Sequence, residues 1–372
     1  MPAFDFLIIG SGIAGAGAAY ELAQGARVLL LEREDAHGYH TTGRSAALYM
    51  ETYGNAVIRG LTRASRTFFE APPQGFAAYP LLSPRGSLSI ARADQMAALA
   101  AFAETQGSAV VPLTREAVLE MVPVLKPDYV AAGMFEAAAM DADVEALHQG
   151  FLRGARARGA EIRTGQAVTA IARRAEGFAV TVASGETFEA AVVVNAAGAW
   201  ADGIAALAGA APVGLQPMRR TALIVEAPPG AEIRDWPAVM DVDEQFYFKP
   251  EAGRILASPA DETPSDPCDA WADDMDVAIC VERMQAAADI PVRRIVRSWA
   301  GLRSFVADRS PVIGFDPGVP GFFWLAGQGG YGVQTAPAAA RAAGALARSE
   351  PLPADIAAEG LSAQDLSPAR LR

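Results

Sequence analysis

Cysteine and histidine are scarce in this chain: among its 372 residues are two cysteines, Cys268 and Cys280, and three histidines. Two cysteines late in the chain make no disulfide framework, and with so few histidines no metal-ligand spacing arises, so no metal is expected. Cationic residues are in deficit as well, with 31 Lys and Arg against 43 Asp and Glu and a net charge of −12. That argues against a nucleic-acid partner, because neutralising phosphates takes a clustered cationic surplus. No apolar run reaches the ~20 residues that cross a bilayer. After Met1 the chain enters an apolar strand with no basic leader and no small-residue cleavage site, so residence in the cytoplasm is expected, with a peripheral contact on the inner face of the membrane left open.

Apolar residues make up 51% of the chain and charged residues 20%, the composition of a globular enzyme with a large core. The length corresponds to about two or three ordinary domains. Asp5–Gly10 reads as a buried strand, Ala14–Gln24 as an Ala-rich helix and Arg27–Glu32 as a second buried strand, a βαβ unit at the N-terminus. Prolines at 84, 112 and 123 punctuate a different region, with a short strand at Gly86–Arg92 and a helix near Asp94–Thr105. A helix over Val144–Gly159 leads back to sheet at Val168–Arg173, Phe178–Ala183 and Ala191–Asn195. A second excursion, from Val213 to about Arg303, carries half-buried strands at Thr221–Glu226 and Gln245–Lys249 and a helix near Val277–Ala288. Phe322–Ala326 returns as a buried strand and runs through a glycine cluster into an Ala-rich helix, Ala336–Ser349. The expected layout is a nucleotide-binding domain in three pieces (1–85, 144–212, 304–372) with a substrate domain inserted twice (86–143, 213–303).

The motif Gly10-Ser-Gly12-Ile13-Ala14-Gly15 falls where the first strand ends and the helix begins. Gly10 suits the tight turn, Gly12 the close approach of a pyrophosphate, and Gly15 the packing of helix on strand. The helix N-terminus then offers free N–H groups and a positive dipole end to phosphate. Glu32, followed by Arg33, ends the second strand, where a carboxylate can accept both ribose hydroxyls of a dinucleotide.

NAD and FAD share this fingerprint, and three later segments separate them. Thr42-Gly43-Arg44-Ser45-Ala46-Ala47 is small and rich in backbone amides, able to line a pyrophosphate and a flavin edge. Ala191–Asn195 ends in small residues, Ala197 and Gly198 before Trp200, that let backbone pass close to a ligand, and Val168 lies on the neighbouring strand. Gly329-Gly330-Tyr331-Gly332-Val333-Gln334 opens the last long helix, where N–H groups suit the flavin N1–C2=O edge that gains negative charge on reduction. A continuous NAD domain needs none of these, so FAD is the expected cofactor.

With those segments located, the chain resembles the flavoenzyme family of D-amino-acid oxidase, glycine oxidase and monomeric sarcosine oxidase, with its nearest likeness to the bacterial D-arginine dehydrogenases. The likeness runs through Gly38–Ser45, Leu81–Arg85, Ala146–Gly150, Trp299–Asp308 and Gln328–Gly332. It implies an α/β fold (α+β overall): a Rossmann-like FAD-binding domain of the glutathione-reductase type with an inserted mixed or antiparallel substrate sheet. It also implies that Arg220 and Arg303 hold a substrate carboxylate, with hydroxyl contacts from Tyr53 and Tyr247, while Gly330 and Tyr331 border the substrate. Taken without the family, Arg220 reads equally as a strand-edge charge and Tyr247 as a half-buried strand aromatic. Arg303, in an apolar context, needs a partner on either reading.

Members acting on D-arginine carry a histidine where this chain has Leu48 and a glutamate where it has Ser87. Losing that carboxylate disfavours a guanidinium substrate, and Leu48 with Met50 points to an apolar pocket. The expectation is oxidation of a neutral or hydrophobic D-amino acid by hydride transfer to flavin N5, giving an imino acid and then a 2-oxo acid and ammonia. Non-covalent FAD is expected, since no cysteine lies near the C-terminal glycine cluster. The electron acceptor stays open among a quinone, a carrier and oxygen. Rivals are a secondary-amine or 2-hydroxy-acid oxidase on the same fold and a catalytically silent flavin-binding protein.

Overall fold

The structure is a computed structural model and describes residues 2–372. Its first large sheet, of eight strands, is built on β1 (Phe4–Ile9), which pairs in parallel with β2 (Val28–Leu31) on one side and with Thr187–Asn195 on the other. Helices cover both faces of a parallel sheet, so Leu7, Ile8, Leu29 and Leu30 are all fully buried and polar–apolar alternation is absent. Glu161–Arg163 extends the sheet beyond β2, and Phe322–Ala326 extends it beyond Thr187–Asn195, with Val312–Phe315 antiparallel at that edge. On its side away from β1, Thr187–Asn195 serves two neighbours. Its first half pairs antiparallel with Gly177–Val182 of a hairpin and its second half pairs in parallel with Phe322–Ala326.

Helix α1 (Ile13–Leu22) connects β1 to β2 and packs between Val144–Ala157 and Ala336–Ala347. A Cβ added at Gly17 would lie 2.9 Å from that of Ala340, so the two helices approach to a distance that only small facing side chains permit. Tyr20, Phe76 and Phe151 close the other flank as an aromatic cluster with ring centroids 5.3–5.6 Å apart.

The second large sheet has nine strands and draws on residues 87–136 and 216–305. Its longest ladder pairs Gln216–Val225 with Arg297–Phe305, in register from Gln216 opposite Phe305 to Ile224 opposite Arg297. Ser87–Ala91 joins it in parallel with Ala238–Asp241, which knits the two excursions into one sheet. Leu88, Val118, Leu223, Phe248 and Met284 form its buried layer beneath helices Arg115–Met121 and Asp274–Ala287. A small sheet of Leu48–Tyr49, Met140–Ala142 and Leu82–Pro84 lies where the chain crosses between the two.

The elements depart from the sequence reading in several places, two of them close to the site. Helix Ala56–Glu70 lies in a stretch to which the sequence reading assigned no element. Asn55 caps it by accepting the Ile58 N–H at 3.0 Å. Its buried face carries Thr62 and Ser65, whose hydroxyls donate back to Ile58 O and Leu61 O at 2.8 Å, and these polar residues interrupt the apolar period. The half-buried strands also shift: Gln216–Val225 is longer than the expected Thr221–Glu226, and Tyr247–Glu251 replaces Gln245–Lys249. Pairing with Arg297–Phe305, not itself anticipated as a strand, lengthens the first of these.

Among the described residues, no helix is long and apolar enough to cross a membrane, and no group of three or more His, Cys, Asp or Glu could hold a metal.

Candidate active site

The site starts at the turn after β1. Gly10 has φ +100°, and a Cβ there would meet Ala196 O at 2.5 Å; one at Gly15 would meet Gly10 O at 1.8 Å. Both glycines are therefore demanded by how tightly the turn folds on itself and on the end of Thr187–Asn195. Gly12 is the N-cap of α1 and provides no side-chain cap. The Ile13 N–H is met from across the cavity by Thr42 Oγ1 at 3.0 Å.

Two cavities, of about 270 and 280 Å3, meet at this turn and share Gly12, Thr41, Thr42, Ala196 and Gly198. Gly10, Glu32, Arg33, Val168, Ala197 and Trp200 line the second cavity. The buried Glu32 carboxylate accepts Ser11 N at 2.8 Å, Ser11 Oγ at 2.7 Å and Glu34 N at 3.0 Å. The Arg33 guanidinium lies 4.8 Å over the Trp200 ring. Gly198, at φ +56°, faces open space where a Cβ would point.

Into the first cavity project Ile13 and Ala14 from α1; Arg44, Ser45, Ala46, Ala47 and Leu48 from the following segment; and Met50 and Tyr53. Gly329, Gly330, Gly332, Val333 and Gln334 close one side, and the nine-stranded sheet contributes Arg220, Tyr247 and Arg303. Gln334 is pinned from behind, donating to Thr62 Oγ1 at 2.8 Å and Met50 O at 3.3 Å.

Four anticipated residues line neither cavity. Gly15 and Gly43 are packing glycines, the latter 2.7 Å from Gly38 O through an added Cβ. Tyr331 stands one layer back, its ring 4.9 Å from that of Tyr53 and 6.3 Å from Phe305, and burial pushes its phenol up to about 12. Ser87 is a correction: it is buried in strand Ser87–Ala91, opposite Ala238 and Glu136, and the serine that reaches the cavity is Ser89. Both point to the same side of the strand, one pleat repeat apart.

Several lining residues escaped the sequence reading. Thr52, Phe102, Met240, Val242 and Phe246 are apolar or weakly polar and carry no motif. The exposed Glu244, at φ 54°, stands at the rim on a turn. Ser304 directly follows Arg303, and Gln328 opens the glycine segment; both positions belong to segments that the family likeness had already marked.

Electrostatically the two arginines differ. Arg220 donates to Asp261 O at 2.7 Å and pairs with Glu262 at 3.3 Å. Burial works to raise the Glu262 pKa, but Arg309, Arg220 and Arg303 together hold the carboxylate below its ordinary range, so it stays anionic. Arg303 has no carboxylate within 4.0 Å among the described residues, and its nearest polar side-chain partner is Tyr53 OH at 3.4 Å. A partly buried guanidinium in an aromatic cavity, with no carboxylate in contact and Glu262 acting on it only at longer range, is a candidate anion site.

Further polar atoms at the cavities lack partners. Ser304 Oγ and Gln328 Nε2 in the first cavity, and Gln166 Oε1 in the second, are buried without a hydrogen bond. Such atoms are costly unless a ligand satisfies them. Together with the open cradle at Gly198 and the helix end at Gly12, they fit a long polar cofactor lying across both cavities.

The geometry is that of an FAD site, and the chain belongs to the DAO family of FAD dependent oxidoreductases, whose model matches residues 5–346. FAD is its cofactor. Among individual proteins it is similar to the uncharacterized oxidoreductase YurR of Bacillus subtilis (strain 168), at 25% identity over 90% of this chain and 92% of the relative. Its fold superposes on glycine oxidase from Geobacillus kaustophilus with a TM-score of 0.81 and 23% identity, covering 94% of this chain and 96% of the other. It also superposes on L-alpha-glycerophosphate oxidase from Mycoplasma pneumoniae with FAD bound, with a TM-score of 0.83 and 20% identity, covering 94% and 95%.

Proposed function

We propose that this FAD-dependent oxidoreductase deaminates a neutral or hydrophobic D-amino acid, and that it is a relative of the D-arginine dehydrogenases with a different side-chain preference. The observation that carries the reading is Arg303, a guanidinium facing the first cavity with no carboxylate partner, beside Tyr53, Tyr247 and the apolar Leu48 and Met50. A carboxylate is its natural complement, gripped by two parallel charge-assisted hydrogen bonds. Arg220, already engaged by Asp261 and Glu262, adds positive potential and a secondary contact.

In this reading, residues of the eight-stranded sheet and its helices (1–85, 144–212, 304–372) hold the cofactor without a covalent link, and the nine-stranded sheet (86–143, 213–303) holds the substrate. Gly12, Ile13 and Thr42 border the pyrophosphate, Glu32 the ribose, and Gly329–Gln334 with Ser304 and Gln328 the flavin end. Bound there, FAD supplies a hydride acceptor for the substrate Cα–H, leaving an imino acid that hydrolyses to a 2-oxo acid and ammonia. Arg303, Tyr53 and Tyr247 fix the carboxylate so that the Cα–H is presented in one orientation. Of the carboxylates lining this cavity, Asp241 is engaged by Gln95 Nε2 and Tyr129 OH and Glu244 stands out at the rim, so neither serves as the base and the amine proton leaves through water or the tyrosine hydroxyls.

Glu244 at the rim favours a second reading, in which a long cationic side chain reaches out to that carboxylate. Anaerobic mixing with a panel of D- and L-amino acids, followed by loss of flavin absorbance, decides between them. D-methionine, D-leucine and D-phenylalanine should bleach the flavin with higher kcat/KM than D-arginine or D-lysine; the reverse order would transfer the assignment to the second reading. The same panel, extended to sarcosine, proline and 2-hydroxy acids, tests for secondary-amine and hydroxy-acid oxidation.

A further inference from the structure

All three histidines of the chain stand around the second cavity or its back wall, and two of them converge on one residue, Ser11. Ser11 stands between Gly10 and Gly12, at a position the glycine motif leaves unspecified, and it is fully buried. Its N–H and its hydroxyl both lie against Glu32 Oε2, at 2.8 and 2.7 Å. His37 Nδ1 is 2.9 Å from the same hydroxyl, and Arg156 Nη2 is 3.1 Å from His37 Nε2. His148 Nε2 is 2.8 Å from the Ser11 carbonyl.

The chemistry of these groups fixes every proton. A guanidinium only donates, so His37 Nε2 accepts from Arg156 and the ring proton is on Nδ1, where it donates to Ser11 Oγ. A carboxylate only accepts, so the serine hydroxyl donates to Glu32. A carbonyl only accepts, so the His148 proton is on Nε2. The result is a one-directional donor chain, Arg156 to His37 to Ser11 to Glu32, running from a surface cation to a buried anion, with His148 clamping the backbone of its middle member. In such a chain each bond polarises the next. Glu32 Oε1 is held separately by the Glu34 N–H, so both carboxylate oxygens have fixed directions: Oε2 uses its two acceptor sites on Ser11, and Oε1 keeps one for the cavity.

We infer that Ser11 and His37 are positioning residues for FAD: the donor chain from Arg156 holds the Glu32 carboxylate in the orientation in which its Oε1 receives a ribose hydroxyl of the adenosine half. The inference rests on the reading of Glu32 as the ribose acceptor. It assigns a task to Ser11 that the glycine motif leaves unspecified, and to His37 and Arg156, which no motif includes.

FMN lacks the adenosine half, and that difference makes the test. Apo-protein is titrated with FAD and with FMN, following flavin fluorescence, for wild type, Ser11→Ala, His37→Phe, His37→Asn, Glu32→Gln and the Ser11→Ala/Glu32→Gln double variant. Ser11→Ala and His37→Phe should weaken FAD about tenfold, the size of one lost charge-assisted hydrogen bond, and leave FMN within about twofold. His37→Asn, which keeps an N–H donor near the Nδ1 position, should recover most of the loss. In the Glu32→Gln background Ser11→Ala should add less than about twofold, because coupled residues are not additive. Equal losses for FAD and FMN, or full additivity with Glu32→Gln, would mark a packing defect and overturn the inference. If Glu32→Gln binds FAD like wild type, the ribose reading falls and takes the inference with it. If Glu32→Gln weakens FAD while Ser11→Ala and His37→Phe do not, the inference alone falls.

Discussion

Replacing Gly330 by alanine probes the proposed carboxylate clamp without replacing a charged group. The backbone there lies outside the left-handed region, so alanine brings no dihedral strain, and the new methyl meets one neighbour: the Arg303 guanidinium, at 2.8 Å from Nη1, 2.9 Å from Cζ and 3.1 Å from Nε. Ordinary contact begins at 3.4 Å, so the guanidinium has to retreat by about 0.6 Å, enough to stretch an ideal ~2.9 Å hydrogen bond to the ~3.5 Å limit where it ceases to count. One charge-assisted bond is worth about 1.5–3 kcal/mol, which predicts a kcat/KM lowered about 10- to 100-fold. The loss should appear equally in the dissociation constant of a short aliphatic carboxylate that lacks an amine, measured from its perturbation of the flavin spectrum, while FAD content stays that of wild type. Arg303→Lys, which keeps the charge and loses the fork, should fall in the same range, and the double variant should be little worse than the more impaired single. A Gly330→Ala enzyme with full FAD content and wild-type affinity for both substrate and carboxylate would refute the placement of Arg303 as the anion clamp.

Removing the rim carboxylate with Glu244→Gln should leave kcat/KM for D-methionine within about twofold, since an exposed charge contributes little to a substrate whose side chain is uncharged; a tenfold loss confined to D-lysine or D-arginine would support the cationic reading. Burial holds His37 and His148 below the ordinary value of 6.5, with Arg156 also lowering His37. The unfolded chain therefore binds their protons more readily, and stability is full above 6.5 and lost as pH falls from 6.5 towards the lowered folded values. Thermal midpoints and FAD retention measured from pH 8 down to 5 should decline together, and His148→Gln should flatten part of that slope. Gly10→Ala faces both a left-handed backbone and a 2.5 Å approach to Ala196 O; it should yield little folded protein on expression, with no rescue by added FAD. Thr52→Val leaves the buried Glu136 carboxyl without its hydroxyl donor and should cost about 1–3 kcal/mol in denaturant unfolding, whereas Glu136→Gln should cost less.

The eight-stranded sheet was readable because parallel strands buried on both faces are written as unbroken apolar runs, β1 and Phe322–Ala326 among them, and because turns this tight admit only glycine at positions 10 and 15. The nine-stranded sheet was much less readable. Gln216–Val225 owes its length to a partner 80 residues away that has no distinctive composition. Helix Ala56–Glu70 buries hydroxyl groups that serve Gln334 and the Ala338 N–H at 2.8 and 3.0 Å, a reason for polar residues on a core face that emerges only when the last helix docks. Ser87 and Ser89 differ by one repeat of the pleat, and only the finished sheet determines how far each stands from the cavity.

Arg44 lines the first cavity, and its guanidinium donates to Ala270 O at 2.8 Å and Ala300 O at 3.1 Å and pairs with Asp269, while Trp299 Nε1 donates to its carbonyl at 2.9 Å. Three residues earlier Thr41, which borders both cavities, donates to Leu302 O at 2.8 Å. The segment proposed to meet the dinucleotide is thus riveted to the strand that carries Arg303. On that proposal, loading the cofactor stiffens the wall on which a substrate carboxylate would rest, and the empty protein should betray the slack by earlier protease cleavage around residues 263–273, where Trp271 stands exposed.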